Sequence, residues 1–243
     1  MAGSVGWTKL NQVSDPIFSV ARYREEYQAT EVPRGYDGRV HMAITFGGGT
    51  LALLACLWQL HAVQPLEWLA VPLSLAYANL AEYLGHRFPM HRPFRGLALI
   101  YKRHAGQHHR YFTHEQMPIE GLRDLRAVLF PPVLVLFFFG LFATPVWLAL
   151  AWLFSTNVAW LFVASGVFYF LNYEILHTAY HLPGSHWLAR NALVTRLRWL
   201  HTIHHDPRRM ATRNFNISYP ACDWLFGTLS AGAGDSVRDS RPA

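Results

Sequence analysis

Long apolar stretches alternate with charged segments along the 243 residues of the chain. A helix that crosses a membrane needs about 20 apolar residues to span about 30 Å of hydrocarbon. The hydropathy pattern predicts four such helices, over residues 42–60, 66–84, 127–143 and 146–173. The last stretch is longer than a span requires, so we expect its final turns to project from the membrane. The run Gly47-Gly48-Gly49 in the first stretch is expected to let another helix approach closely.

The position of the basic residues predicts how these helices are oriented. All 21 lysines and arginines lie within three segments, residues 1–40, 87–126 and 190–241. The apolar stretches and the two short turns between them, residues 61–65 and 143–145, contain none. The positive-inside rule therefore places both chain termini, and every segment that carries a basic residue, in the cytoplasm.

The pattern predicts one membrane domain. Its four helices form two hairpins, residues 42–84 and 127–173, and a cytoplasmic helical cap is built from residues 86–126 and 174–230. Within the cap, residues 186–205 have the apolar and basic alternation of an amphipathic helix that lies at the membrane interface. The predicted organisation is a cytoplasmic N-terminal segment, a membrane domain and a flexible tail, over residues 1–41, 42–230 and 231–243.

Composition supports this all-α membrane fold. Hydrophobic residues make up 52% of the chain and charged residues 15%, which is typical of an integral membrane protein. The formal net charge of +6 is accounted for by the predicted topology. Nucleic acid is therefore not an expected partner.

Ten of the fourteen histidines form four clusters that all fall on the predicted cytoplasmic side. The clusters read His86-x4-His91, His104-x3-His108-His109, His177-x3-His181 and His201-x2-His204-His205. Neutral imidazole is a good ligand for iron, zinc and copper. Ten imidazoles are enough to hold two metal ions.

The spacing within the clusters suggests how two ions would share them. Three pairs, His104/His108, His177/His181 and His201/His205, are four residues apart and would lie on one helix face, so each pair can bind a single ion. Adjacent histidines point about 100° apart on a helix and cannot easily share a metal. We therefore expect each doublet, His108-His109 and His204-His205, to send one imidazole to each of two ions.

Other polar side chains near the clusters are candidates to orient the ligands. A ligating imidazole usually donates its second N–H group to a carboxylate or a carbonyl. Glu82, Glu174 and Asp206 lie close in sequence to His86, His177 and His205, and each is a candidate acceptor. Asn214 follows the last cluster and is expected to hold a metal-bound water or to fix the loop.

The motifs together resemble the membrane fatty-acid hydroxylase / sterol desaturase superfamily of non-haem diiron oxygenases, with the fatty-acid 2-hydroxylases as the nearest branch. The resemblance covers residues 75–230. It rests on HRFPMH (86–91), HAGQHH (104–109), LRAVLFPP (125–132), YEILHTAYH (173–181), HTIHH (201–205) and NFNIS…DWLFGTL (214–229). All ten clustered histidines match ligand positions of the family.

The resemblance implies a pair of iron ions that use O2 to insert oxygen into a fatty acyl C–H bond, with C2 as the candidate position. Zinc can replace iron in the purified protein. The chain lacks the N-terminal cytochrome b5 module of the eukaryotic 2-hydroxylases, so we expect electrons from a separate protein of the ferredoxin or cytochrome b5 type. The expected substrate is a lipid of the surrounding membrane.

Several alternatives remain open from the sequence. Desaturation, or oxidation of a sterol or carotenoid, uses the same chemistry, and ligand spacing does not separate these outcomes. A metal transporter would place its ligands inside the spans, which is not where the clusters fall. A membrane cytochrome would need histidines facing each other across helices at membrane depth.

Overall fold

The computed structural model describes residues 19–231, and all regular structure in this range is helical apart from an isolated bridge between Thr113 and Gln116. The predicted all-α class is thus confirmed for the described residues. Residues 1–18 of the predicted N-terminal segment and residues 232–243 of the predicted tail lie outside them. The α-helices are α1 (Val20–Thr30), α2 (Gly38–Met42), α3 (Gly49–Trp58), α4 (Ala70–Gly85), α5 (Ala98–Tyr101), α6 (His109–Tyr111), α7 (Leu125–Val128), α8 (Pro132–Phe138), α9 (Thr144–Leu153), α10 (Thr156–Tyr180), α11 (Ala192–His204) and α12 (Ala221–Leu225).

Shorter segments of other helix types join several of these helices. Four are π-helical: Ala43–Gly48, His86–Met90, Lys102–His108 and Phe139–Ala143. Three are 3₁₀-helical: Pro65–Leu69, Leu122–Asp124 and Leu188–Arg190.

Two helices are long and apolar enough to cross a membrane, Gly38–Trp58 and Thr156–Tyr180. A third candidate is a bent pair, Leu122–Phe137 and Phe139–Leu153, whose axes differ by 41°. The chain therefore has two or three helices that suit a membrane protein. The predicted span over residues 66–84 is shorter than expected. Its α-helix, α4, has 16 residues and is about 24 Å long.

The boundary between the third and fourth predicted spans is also different from the expectation. The sequence predicts a turn at 143–145, but Pro145 lies in the first turn of α9, where proline costs a helix no hydrogen bond. The chain breaks later, at Phe154. Ser155 then caps α10 by accepting a hydrogen bond from the Val158 N–H group.

Polar contacts bring two connections, residues 61–69 and 154–157, together at the end of the bundle opposite the histidines, and we call the two together the outer turn. The His61 backbone donates to the Asn157 side chain, which donates back to the His61 carbonyl oxygen at 2.9 Å. Glu67 accepts hydrogen bonds from Ser155 and from Asn157. From this end, α4 and α10 both run towards the histidine clusters.

The α10 helix lies at the centre of the fold and packs against α3, α4, α9 and α11. The approach of α3 is close at Gly49, where an added Cβ atom would lie 2.6 Å from a methyl carbon of Leu171. A Cβ atom at Gly47 or Gly48 would meet nothing within 4 Å. Of the three glycines that were expected to allow a close approach, only Gly49 is needed for it.

Candidate metal centre

Four segments of the chain bring the clustered histidines together beyond the ends of α4 and α10. They are the π-helical segments His86–Met90 and Lys102–His108, the C-terminal end of α10 and the C-terminal end of α11. Nine of the ten histidines form two groups in which the candidate ligand atoms all lie within 4.8 Å of one another. The first group is His86, His91, His104, His109 and His204, and the second is His108, His181, His201 and His205.

The two π-helical segments explain why histidines five residues apart share the first group. A π-helix closes its hydrogen bonds between residues i and i+5, so these residues lie on one face. The Nε2 atoms of His86 and His91 are 3.2 Å apart, and those of His104 and His109 are 3.0 Å apart. Further contacts join His86 to His104 at 2.8 Å and His91 to His204 at 3.0 Å, again through Nε2 atoms.

The second group has the same pattern of contacts. The Nε2 atom of His205 lies 3.2 Å from that of His108 and 3.0 Å from that of His201. His201 in turn lies 3.2 Å from His181. The tenth histidine, His177, lies beside this group with its Nε2 atom 3.3 Å from that of His108.

These distances match the spacing of ligand atoms around one metal ion. With metal–nitrogen bonds of about 2.1 Å, neighbouring ligands at tetrahedral or octahedral angles are about 3.0–3.4 Å apart. Each group therefore has the dimensions of a single coordination sphere. The groups are also adjacent, because the rings of His109 and His205, which belong to different groups, stack at 4.2 Å.

Each doublet is divided between the two groups. His108 and His109 lie in different groups, and so do His204 and His205, which is the arrangement expected from their directions on a helix. Of the three expected pairs, only His201/His205 lies within one group, because His177 lies outside both groups, beside the one that contains His181. His104 and His108 do not share an ion site, because the segment between them is π-helical and brings His104 to His109 instead.

The hydrogen bonds of five rings fix which nitrogen faces the centre of each group. The Nδ1–H groups of these rings donate to backbone carbonyl oxygens, which can only accept. The pairs are His86 to Phe215, His108 to Ala127, His181 to Met117, His204 to Arg213 and His205 to Phe112. A neutral imidazole with a proton on Nδ1 has a lone pair on Nε2. All five rings therefore present lone pairs to the two groups.

The contact between His108 and His205 is a direct test of whether a cation fits. Both rings donate from Nδ1 to a carbonyl, so neither neutral ring has a proton left for a hydrogen bond between the two Nε2 atoms, which are 3.2 Å apart. Two lone pairs at this distance repel each other unless a cation lies between them. The donor set thus fits a metal ion, and a set of ten imidazoles suits iron, zinc or copper.

Burial keeps these rings neutral and able to bind a metal. It lowers the pKa of His108 and of His204 from 6.5 to about 4. Burial, with a smaller contribution from neighbouring imidazoles, also lowers the pKa of His104 and of His109 well below the usual value. His91 is half-buried, whereas the other nine clustered histidines are buried.

The predicted orienting residue Glu82 acts on a loop instead of on a histidine. Its carboxylate accepts hydrogen bonds from the backbone N–H groups of Ile217 and Ser218 and from the hydroxyls of Ser218 and Tyr169. This loop also contains Phe215, whose carbonyl oxygen accepts from His86. Glu82 therefore reaches the first group through the backbone of the loop.

The other three predicted orienting residues also make no hydrogen bond to a clustered histidine. Glu174 is buried and accepts from the Phe130 N–H group at 3.0 Å. Asp206 accepts from the backbone and side chain of Arg208. Asn214 has a φ of 55°. Its side-chain amide donates to the carbonyl oxygens of Leu200 and Ser230 and accepts from the Ser230 N–H group. It thus fixes the loop, which is one of the two roles expected for it, and it sits between the carbonyl groups that accept from His204 and His86.

Sequence reasoning expected carboxylate or carbonyl partners but did not identify which backbone carbonyls orient the rings. The expectation of carboxylate partners follows from side-chain chemistry, and a carbonyl carries no residue-specific signal. The loop that supplies Arg213 and Phe215 is held by a buried acid, Asp223, which accepts from the Phe215 and Asn216 N–H groups at 2.9 and 2.7 Å. The only available signal was the NFNIS…DWLFGTL stretch, which contains this loop and the acid.

A small apolar cavity of about 40 Å³, which we call the inner cavity, reaches both groups of histidines. His104 of the first group and His108 of the second line it, together with His177. Its other lining residues are mostly apolar, with one arginine: Met90, Ile100, Arg103, Ala127, Val128, Leu129, Phe130, Pro131, Leu134 and Tyr173. A larger cavity of about 350 Å³ lies on the other side of Pro131, which lines both.

Comparisons with protein-family models, curated proteins and solved structures find no match to this chain. Assignment to a family therefore depends on the histidine motifs and on the site that they form.

Proposed function

We propose that this chain is a membrane lipid hydroxylase of the fatty-acid hydroxylase / sterol desaturase superfamily, in which two iron ions and O2 oxidise a fatty acyl C–H bond. One observation carries the proposal. Two adjacent groups of imidazoles, five of which present Nε2 lone pairs to the groups, lie beyond the end of α4 and of the membrane-length helix Thr156–Tyr180. The resemblance of the motifs to the 2-hydroxylases makes C2 of the acyl chain the proposed position.

The overall reaction requires an external supply of electrons. Hydroxylation of a C–H bond consumes one O2, two electrons and two protons, and it yields the alcohol and one water. Iron in the two groups would supply the activation of O2, as redox metals do in oxygenases. The electrons would come from a separate protein of the ferredoxin or cytochrome b5 type.

The residues of the chain provide a suitable environment for this chemistry. Neutral imidazoles add no negative charge, so bound ions keep a higher positive charge than carboxylate ligands would leave them, which favours uptake of electrons. Backbone carbonyls fix the orientation of the His86, His108 and His204 rings. The apolar residues of the inner cavity exclude water from the space that borders His104 and His108.

A lipid substrate agrees with the position of the site. The inner cavity is lined by residues that follow α4, by residues 127–131 before α8, and by the last turns of α10. We propose that α4, although short, completes a four-helix membrane domain, because it runs beside the span α10 from the same outer turn. In this proposal the histidine centre, the cap and both termini are cytoplasmic.

Two alternatives differ in what they require. Desaturation, or oxidation of a sterol or carotenoid, would use the same centre, and the product distinguishes them. Metal transport would require a path of ligands along the spans. The two groups are instead formed by residues 86–109 and 181–205, which lie outside Gly38–Trp58 and Thr156–Tyr180. The hydroxylase is therefore the function that the site supports best.

The proposal is tested by lipid mass spectrometry of cells that co-express the protein and an electron donor. We expect lipids heavier by one oxygen with the wild type and none with a His108→Ala/His204→Ala variant, which loses one imidazole from each group. His61→Ala is the matched control, because His61 is exposed and lies in the outer turn. Lipids lighter by two hydrogens would show a desaturase. No lipid change in a metal-loaded wild type would overturn the proposal.

A further inference from the structure

One arginine lies at the edge of the histidine centre without an acidic partner. Arg103 is part of the π-helical segment Lys102–His108, next to His104, and lines the inner cavity with His104, His108 and His177. It is half-buried. A guanidinium group is always charged in proteins, so one residue with a fixed positive charge lies among the mostly apolar residues of this cavity.

The contacts of Arg103 hold the guanidinium in place but do not neutralise it. One N–H group donates to the Arg126 carbonyl oxygen at 2.8 Å. Another makes long contacts, of 3.4 Å each, to the Tyr27 hydroxyl and the Gln107 side chain. No described carboxylate lies within ion-pair distance of Arg103. The acid that influences it electrostatically, Glu31, forms its own ion pair with Lys102 at 3.2 Å.

The backbone places this charge close to the metal ligands. Arg103 is bound to the carbonyl oxygen of Arg126, and the next carbonyl along the chain, that of Ala127, accepts the Nδ1–H group of His108 at 2.9 Å. Successive residues are about 3.8 Å apart. Arg103, His104 and His108 line the same small cavity, so an anion that binds Arg103 from this cavity would bring the first carbons attached to it towards His104 and His108.

We propose that Arg103 binds the carboxylate of a free fatty acid and thereby directs oxidation to the carboxyl end of the chain. This inference rests on the proposed function. A guanidinium group forms paired hydrogen bonds with a carboxylate, and a cavity of about 40 Å³ has room for a group of that size. The apolar side chains of Met90, Ile100 and Leu134 then meet the first methylene groups. Arg103 is a residue that determines specificity for substrate and position.

A binding experiment tests the inference without relying on activity. The full chain, loaded with zinc in lipid nanodiscs, is given labelled palmitic acid, which is displaced by unlabelled palmitic acid or by hexadecanol. The two competitors share a chain length and differ in charge. We expect the acid to compete about tenfold or more better than the alcohol with the wild type, the range for charge-assisted hydrogen bonds. This preference should disappear in Arg103→Gln.

Matched variants separate this role from a structural one. Arg95→Gln removes an exposed charge between the first two histidine clusters, leaves the Lys102–Glu31 ion pair intact and should keep the preference for the acid. Arg103→Lys retains the charge without the paired donors and should keep a reduced preference. If Arg103→Gln does not retain zinc, the reduced preference of Arg103→Lys for the acid is measured in its place. The inference is overturned if the wild type does not prefer the acid, or if both Arg103 variants prefer it as strongly as the wild type does.

The position of the hydroxyl group in the product is a second measurement, made with protein that is loaded with iron and supplied with electrons. With wild-type protein, we expect the hydroxyl group at C2 of palmitic acid, and with Arg103→Gln a product spread over other carbons. An unchanged product would contradict the inference. If the wild type forms no hydroxylated lipid, the proposed function fails, whereas the binding preference still reports on Arg103.

Discussion

The role of Glu82 gives a prediction whose size follows from the hydrogen bonds of one side chain. Its carboxylate accepts from two backbone N–H groups, of Ile217 and Ser218, and from two hydroxyls, of Ser218 and Tyr169. In Glu82→Ala the hydroxyls can still bond to each other, because they already lie 2.5 Å apart. The two backbone N–H groups lose their acceptor. A buried donor without a partner costs about 1–3 kcal/mol, so the loop should lose about 2–6 kcal/mol of stability.

This loss should reach the metal site through the carbonyl of Phe215, which orients His86. Substitution of a residue that orients a ligand typically lowers metal affinity by about 10- to 100-fold. We expect the zinc affinity of Glu82→Ala to fall by that amount. In Glu82→Gln, one amide oxygen still serves the two N–H groups and the amide N–H group can donate to the hydroxyls. This variant should lose only about 1 kcal/mol.

The assay is competition for zinc between the purified protein and a chelator, together with thermal unfolding followed by tryptophan fluorescence. Glu67→Ala is the control, because Glu67 also accepts several hydrogen bonds but lies in the outer turn with Ser155 and Asn157. It should lower the unfolding temperature and leave zinc affinity unchanged. This role of Glu82 is wrong if Glu82→Ala binds zinc as tightly as the wild type, or if Glu82→Gln loses as much zinc affinity and stability as Glu82→Ala.

Three further predictions follow from the site and the fold. His108→Ala/His205→Ala removes two imidazoles from one group, so zinc titration should show one tight site per chain. His108→Ala/His109→Ala removes one imidazole from each group and should weaken both sites. Equal zinc binding by the two variants would contradict the division of the doublets. Because burial lowers the pKa of His108 and of His204 from 6.5 to about 4, the unfolded chain takes up protons before the folded chain does. The metal-free protein should therefore lose thermal stability as the pH falls from about 6.5 to about 4, and a constant unfolding temperature over this range would be the opposite result. In intact spheroplasts, a membrane-impermeant thiol reagent should label His61→Cys and should label Arg95→Cys only after permeabilisation; the reverse pattern would show the opposite orientation.

The sequence predicts the helical class and the division of the histidine doublets well because both depend on simple periodicity. Adjacent residues on a helix diverge, so the doublets His108-His109 and His204-His205 had to face different centres, as they do. Apolar length likewise predicts one span in each half of the chain, and the structure has Gly38–Trp58 and Thr156–Tyr180 there, although the second begins ten residues later than expected.

The parts that differ from prediction depend on local backbone geometry. The separation of His104 from His108 follows from a π-helical segment, and hydrophobic periodicity carries no signal for one extra residue in a turn. The turn predicted at residues 143–145 contains Pro145, but proline is equally suited to the first turn of a helix, which is where Pro145 lies. The partners of the imidazoles are mostly backbone carbonyls, such as those of Ala127 and Phe215, and these become neighbours of the rings only after the chain has folded.

The most direct test of the account is to follow the oxygen atom. The iron-loaded protein in nanodiscs, with palmitic acid and a reduced ferredoxin, is exposed to isotopically heavy O2, and the lipid is analysed by mass spectrometry. We expect a hydroxyl group that carries the heavy isotope, and its absence in the His108→Ala/His204→Ala variant. A wild type that holds two iron ions per chain and accepts electrons, but leaves the lipid without any oxidation, would contradict the proposed function.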